Sequence, residues 1–150
     1  MPRRKINQIY DPVLSVQITA TKVRRLVYFL VANRPVRYKK GYSRIVYIGT
    51  TERGVRRIAA SASYHITAAG ELKGIRRLDA YVIWVKSKQG PQKKKGRTHW
   101  ELLERAMLLS FRKSYGNPPR LNQTGHKMKE RNEFDTFSRR TINRVINRYT

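Results

Sequence analysis

The chain contains no cysteine and only three histidines in 150 residues. The missing cysteines exclude a disulfide framework and a thiolate metal site, and they fit a reducing compartment. His65, His99 and His126 lie too far apart in the sequence to predict a zinc site. No apolar run reaches the 18 residues typical of a transmembrane helix. A chain of this length therefore predicts one domain with a single hydrophobic core.

Acidic residues are also scarce, because nine Asp and Glu stand against 34 Lys and Arg and give a formal net charge of +25. Such a charge favours a polyanionic partner, since each neutralised phosphate releases condensed counterions. A membrane surface is the rival polyanion, but the apolar run over 26–32 is only as long as a strand. We therefore expect nucleic acid as the partner, no membrane association, and a cytoplasmic location, nucleoid-associated or nuclear in a eukaryote.

The first half of the chain is typical of a β-rich core followed by a helix. Strict alternation over 14–21 predicts a half-buried strand, and the continuous apolar run over 26–32 predicts a strand covered on both faces. A basic stretch over 33–43 predicts a long loop before the next strand, at 44–49. From residue 53 the apolar side chains recur at helical spacing, which predicts a helix with a basic face.

The second half adds one strand and two helices. Residues 80–85 predict the third central strand, and Thr98 and Glu101 carry the signature of a capping box at the start of a long helix. Residues 134–149 predict a basic amphipathic helix. The expected fold is α+β, with a small antiparallel three-stranded central sheet flanked by helices, an extra N-terminal strand and a C-terminal basic helix.

Five short motifs lie in order on these elements. They are Leu26-Val27-Tyr28, Tyr47-Ile48-Gly49, Arg57, Glu104 and Pro119-Arg120-Leu121-Asn122. Each motif alone is weak, but all five in order, each on the expected type of element, resemble the signature of the GIY-YIG nuclease superfamily. The resemblance covers residues 26–122, so that 1–25 is a basic N-terminal extension and 123–150 a basic helical extension.

The chain departs from the family pattern at three places. Leu26 stands where the family has its first glycine. Tyr47 lies nineteen positions after Tyr28 (47 − 28 = 19), a longer spacing than in compact members. A further segment, at about 112–117, is inserted before Pro118. These departures concern loops and one packing position, so they bear on DNA binding more than on chemistry.

The resemblance implies a metal-dependent endonuclease that hydrolyses DNA phosphodiester bonds. Glu104 would be the one protein ligand to Mg²⁺ or Mn²⁺, a hard cation that also binds waters and a substrate phosphate. Arg57 would clamp the scissile phosphate. Tyr28 would deprotonate or orient the attacking water, Tyr47 would position the water or the phosphate, and Asn122 would support the site through hydrogen bonds.

Other residues are expected to contact the nucleic acid without doing chemistry. They are Gly49, Arg53, Arg56, Ser61, Tyr64, His65, Lys39, Lys40, Lys93, Lys94 and Lys95. Which of Ser61, Tyr64 and His65 reaches the phosphate is open at this stage, as is the target sequence. The expected substrate is double-stranded or branched DNA; one site per chain predicts nicking by a monomer, and a dimer only where both strands are cut.

Plainer interpretations of the same residues lead to a second function. Tyr28 and Tyr47 could be ordinary strand aromatics, and Arg57 could belong to a solvated basic face. Glu101 is explained by the capping box, whereas Glu104 could pair with a neighbouring cation, Arg105 or Lys113. The alternative is therefore a non-catalytic nucleic-acid-binding protein, for instance an RNA-bound structural component, that retains a nuclease fold.

Overall fold

The computed structural model of the chain describes residues 7, 9–11, 14–19, 21–86, 93–94 and 97–150. The strands are Leu26–Tyr38 (β1), Gly41–Thr51 (β2), Leu78–Ile83 (β3), Lys93–Lys94 (β4) and Arg97–Thr98 (β5), and the helices are Val55–Gly70 (α1), His99–Tyr115 (α2), Glu133–Thr136 (α3) and Arg139–Arg148 (α4). β1 pairs antiparallel with both β2 and β3 in the order β2-β1-β3, and β4 pairs with β5. The predicted α+β fold with a three-stranded antiparallel sheet is confirmed.

β1 lies at the centre of the sheet and supplies much of the core. All seven residues of its apolar run over 26–32 are buried, as expected for a strand covered on both faces. Phe29 and Phe111, the latter from α2, are the largest fully buried side chains. Among the described residues, no helix has the length and apolarity needed to span a bilayer.

The predicted long basic loop over 33–43 is wrong, because β1 and β2 continue through it to a two-residue turn at Lys39 and Lys40. The pairing register shifts between Val31 and Val36, so Pro35, which has no amide hydrogen to donate, is accommodated in an irregular stretch of strand. Gly41 ends the turn with φ 144°, a backbone conformation that glycine adopts readily. The long spacing between Tyr28 and Tyr47 thus becomes a long hairpin.

The predicted N-terminal strand over 14–21 is also wrong for the residues that the structure describes in that segment. Residues 14–19 and 21 form no strand, and the apolar side chains of Leu14, Val16 and Ile18 are 64–72% exposed. An alternating sequence becomes a strand only where a sheet edge accepts its backbone. The outer edge of β2 is partly occupied by a later segment, since the Leu121 amide donates to the Val46 carbonyl at 2.8 Å.

The helix predicted over 134–149 is divided into α3 and α4. The chain is extended at Phe137 and Ser138, and the Ser138 hydroxyl accepts a hydrogen bond from the Thr141 amide as the N-cap of α4. The predicted start of α2 is confirmed, because the Glu101 carboxylate accepts from the Thr98 amide at 2.8 Å. The inserted segment over 112–117 becomes the last turn of α2 and its cap at Gly116, with φ 82°.

Candidate active site

Two tyrosines and a glycine from the hairpin form the floor of the site. Tyr28 lies opposite Gly49 in the register, and Tyr47 is two residues from Gly49, so all three face the same side of the sheet. The two phenol rings lie 5.8 Å apart between centroids. A Cβ built on Gly49 would meet Tyr47 Cε1 at 2.6 Å and Tyr28 Cζ at 2.9 Å. Because Gly49 has no side chain, both phenols can pack against its backbone.

Gly49→Ala should consequently lower the free energy of unfolding by about 1–3 kcal/mol, the usual cost of forcing extra volume into a packed site. Gly70→Ala is the matched control, because no atom lies within 4 Å of its Cβ position and its backbone has no positive φ. This control should be neutral or stabilising, as alanine favours a helix more than glycine does. Urea denaturation measures both, and equal stability of the two variants would contradict the packing.

Helix α1 places three side chains beside the phenols. The Tyr28 hydroxyl donates to Ser61 Oγ at 2.8 Å, and this contact is buried. One turn further along, the ring of His65 stacks on Tyr47 with centroids 4.2 Å apart, and burial lowers the pKa of His65. Arg57, one turn before Ser61, is exposed to solvent. The stripe at i, i+4 and i+8 on α1 thus runs along the edge of the two phenols.

Helix α2 contributes one carboxylate, that of Glu104. Burial and the nearby Glu101 raise the pKa of Glu104 to about 7, and Arg105 opposes them. In the part of the chain that the structure describes, this carboxylate makes no hydrogen bond or ion pair. Arg105 instead forms a 2.5 Å ion pair with the buried carboxylate of Glu133, so the partner considered from sequence is engaged elsewhere.

Groups from both helices lie close enough to Tyr47 to affect its pKa. Burial, the adjacent Tyr28 and the Glu104 carboxylate raise the pKa of Tyr47 well above its usual range, and the Arg57 guanidinium lowers it to a smaller extent. A carboxylate from α2 and a guanidinium from α1 therefore both act on a phenol of β2. Tyr47 is consequently a neutral hydroxyl at pH 7, suited to donating a hydrogen bond rather than accepting a proton.

Asn122 has a structural position beneath the site. Its Oδ1 accepts from the Ile48 amide at 3.0 Å and its Nδ2 donates to the Ile48 carbonyl at 2.8 Å. Both backbone polar groups of the central residue in the Tyr47-Ile48-Gly49 motif are thereby satisfied by a side chain 74 residues away. Asn122 therefore fixes the backbone of the strand that carries Tyr47.

The three candidates on α1 for reaching the phosphate differ clearly in exposure. Ser61 is buried and bound to Tyr28, and His65 is half-buried against Tyr47. Tyr64 is 69% exposed and contacts the edge of His65. Tyr64 is therefore the most exposed of the three. Sequence reasoning missed the Tyr28–Ser61 bond, although the place of Ser61 one turn after Arg57 pointed to it.

The remaining candidate contacts lie at several places on the surface. Arg53 and Arg56 are exposed around the start of α1, and Lys39 and Lys40 form the hairpin turn at the opposite end of the register from Gly49. Lys93 and Lys94 form β4, whereas Lys95 lies outside the described residues. A basic groove of about 610 Å³ near the hairpin turn includes Arg37, Lys39 and Arg120 and none of the phenols of the site.

A metal ion at this site would have one protein carboxylate. The described residues contain no group of three or more His, Cys, Asp or Glu placed to share a metal ion. A half-buried carboxylate without an ion-pair partner is nevertheless suited to a hard cation that keeps several waters. Glu104 is the residue that fits this role.

The chain was compared with known proteins at three levels. No family model matches it, and no curated protein or solved structure matches it either.

Proposed function

We propose that this chain is a metal-dependent endonuclease that hydrolyses DNA phosphodiester bonds at a single GIY-YIG-type site. The observation that carries the proposal is the environment of Tyr47. Its ring lies 5.8 Å from that of Tyr28, and its pKa is raised by the Glu104 carboxylate and lowered by the Arg57 guanidinium. These groups come from two strands and two helices. Packing alone does not require a half-buried carboxylate that has no partner among the described residues, whereas a cation-dependent reaction on a phosphate does.

The residues divide the chemistry between them. Arg57 is exposed and permanently charged, so it can hold a phosphoryl oxygen through a fork of donors. Tyr28 donates its hydrogen to Ser61, so its oxygen can only accept, from the neighbouring Tyr47 hydroxyl or from the attacking water. Tyr47, kept neutral, donates to the water or to the phosphate. Tyr28 therefore orients the water.

Glu104 would hold Mg²⁺ or Mn²⁺. When bound, such an ion supplies positive charge to the phosphoryl oxygens and to the departing alkoxide. The pairing of Glu101 with the Thr98 amide and of Arg105 with Glu133 leaves Glu104 as the acid of α2 without a protein partner in the described chain. Asn122 and His65 position other groups of the site. Asn122 fixes the backbone of β2, and His65 packs on Tyr47.

The proposal is tested by incubating the purified chain with supercoiled plasmid and with linear, branched and single-stranded DNA and RNA, in Mg²⁺, Mn²⁺ or EDTA. Metal-dependent nicking of DNA is the expected result. Arg57→Ala should reduce the cleavage rate by about 10²–10³-fold, as loss of a preorganised charge-stabilising donor does. Its control is Arg56→Ala, an exposed neighbour with the same charge, which should lower the rate only slightly.

Two results would overturn the proposal. Equal losses in Arg57→Ala and Arg56→Ala would mean that both arginines only attract the polyanion. Binding without cleavage of any substrate in either metal would favour the non-catalytic nucleic-acid-binding function.

A further inference from the structure

Helix α4 exposes a face made of arginine and asparagine. Arg140, Asn143, Arg144 and Asn147 occupy positions i, i+3, i+4 and i+7, so they lie on one side of the helix, and all four are exposed. The helix contains four arginines, no lysine and no acid. This face lies outside the proposed nuclease site, because no hydrogen bond, ion pair or ring contact in the described chain joins it to the phenols or to Glu104.

The opposite face of α4 is fixed to the core. Ile142 and Ile146 are each 1% exposed, and α4 packs on α2. Just beyond the helix, Tyr149 stacks on Phe29 and on Tyr81, with ring centroids 5.5 Å and 4.5 Å apart. The polar face is therefore held in one orientation by the apolar face, as in a helix that presents side chains to a partner.

The four exposed side chains make none of the polar or aromatic interactions found elsewhere in the described chain. Within the described ranges, none of them takes part in a hydrogen bond, an ion pair or a contact with an aromatic ring. Arg139 on the same helix is different, because it pairs with Glu130 and lies over the ring of Phe134. Arg139 thus helps to hold α4 in place, whereas the exposed face makes no such interaction with the rest of the described chain.

The chemistry of this face fits the edges of bases better than phosphates alone. Arginine donates in a fork to O6 and N7 of guanine, and the amide of asparagine matches N6 and N7 of adenine. A surface that only neutralised phosphates would accept lysine as readily as arginine, yet α4 contains no lysine, and its asparagines add no charge. An α-helix fits the major groove of B-DNA, where these base edges are displayed.

We propose that α4 enters the major groove of duplex DNA and reads base edges through Arg140, Asn143, Arg144 and Asn147. The inference rests on the proposed function in one respect, namely that the nucleic acid is duplex DNA. A ten-residue helix is about 15 Å long, so it spans about four base-pair steps of about 3.4 Å each. The recognised sequence is accordingly short and rich in guanine and adenine on the contacted strand.

The test uses the full chain in EDTA, so that binding is measured without cleavage. Selection from a randomised duplex library should enrich a short sequence, and fluorescence anisotropy then compares this duplex with a scrambled duplex of the same length. The joint variant Asn143→Ala, Asn147→Ala changes no charge. Each bidentate hydrogen-bonded pair that it removes should reduce the preference for the selected duplex by about 5- to 150-fold, with unchanged affinity for the scrambled duplex.

Arg144→Lys provides a second, charge-preserving test. It should also weaken the preference for the selected duplex, because lysine keeps the charge but lacks the fork of donors. Arg76→Lys is the matched control, since Arg76 is exposed in the segment after α1 and should leave both affinities unchanged. All these side chains are exposed, so melting temperatures should stay the same.

Three outcomes would overturn the reading role. The first is that selection enriches no sequence. The second is that the variants lose affinity equally for the selected and scrambled duplexes, which indicates phosphate contacts only. The third is that the chain binds only RNA or single strands. Sequence-selective binding by a chain that never cleaves would instead retain this inference and refute the nuclease, so the two failures are distinguishable.

Discussion

Glu104→Ala should abolish Mg²⁺-dependent nicking while duplex affinity stays equal or becomes tighter. Loss of a metal ion that stabilises developing charge removes several kcal/mol, and about 4 kcal/mol corresponds to roughly a thousandfold in rate. Binding is maintained because the net charge of +25 rises by one when a carboxylate is removed. Single-turnover nicking of plasmid and anisotropy with a labelled duplex measure the two quantities separately.

Two further variants separate this role from a structural one. Glu104→Gln keeps the shape of the side chain and should be as inactive as the alanine variant, with a melting temperature equal to or above that of the parent chain. Glu101→Gln removes an acid from the same helix one turn earlier, where its carboxylate accepts from Thr98, and should keep its nicking activity. Normal cleavage by Glu104→Gln would remove Glu104 from the site.

Glu133→Gln should lower the free energy of unfolding by about 3–5 kcal/mol, the usual cost of removing one partner of a buried ion pair. The carboxylate of Glu133 is fully buried and accepts from the Arg105 guanidinium, and also from the Arg131 amide at 2.7 Å. The Arg105 side chain is only 12% exposed, so its charge would be left largely desolvated. Urea denaturation of both proteins measures the difference.

A matched control lies three residues away. Glu130→Gln breaks the pair with Arg139, in which both side chains are about half exposed, and should cost only about 0–1 kcal/mol. Equal losses in the two variants would show that burial does not strengthen the Arg105–Glu133 pair.

The Glu133 pair also predicts a dependence on pH. Burial alone would raise the pKa of Glu133, but hydrogen bonds from the Arg131 amide and from Arg105 lower it below 4.5, the ordinary value. A depressed carboxyl pKa means that the stabilisation is complete above pH 4.5 and is lost as the pH falls through the lower pKa of the folded protein. The stability difference between the parent chain and Glu133→Gln should therefore shrink in acid.

The central sheet was predictable because its signal is local. A continuous apolar run identifies a buried strand, and β1 follows that run from its first residue. The extension of the hairpin to Lys39 and Lys40 was not predictable, since Pro35, Gly41 and the basic residues around them are typical of a loop. Only the tertiary structure provides the irregular pairing between Val31 and Val36 that accommodates the proline.

The ends of the chain show the limits of periodicity in two ways. Alternation over 14–21 predicted a strand, but alternation describes only the side chains and does not say whether a sheet edge is open to the backbone. At the C-terminus, the apolar spacing was correct for Ile142 and Ile146, but Ser138 caps a new helix. Sequence patterns therefore located the buried positions there better than they located the helix boundary.

In the candidate site, the types of residue were predictable and most of their contacts were not. Tyr47, Gly49 and Arg57 follow one another closely, so a strand and a helix in sequence bring them near each other. The bonds from Tyr28 to Ser61 and from Asn122 to Ile48 join residues 33 and 74 positions apart, and no local pattern encodes such pairs. The pairing of Arg105 with Glu133 is of the same kind.

The Arg105–Glu133 pair also has a consequence for the two proposals taken together, nicking at Glu104 and base contact by α4. Arg105 directly follows Glu104 in α2 and also donates to the Lys129 carbonyl at 2.9 Å, so the turn of helix with the proposed metal ligand is joined to the segment that leads into α4. If a flexible linker joined a DNA-recognition helix to a nuclease site, the distance between the recognised bases and the cleaved phosphodiester bond would vary. With these contacts in place, the proposed cut would fall at a fixed number of bases from the sequence proposed to contact α4.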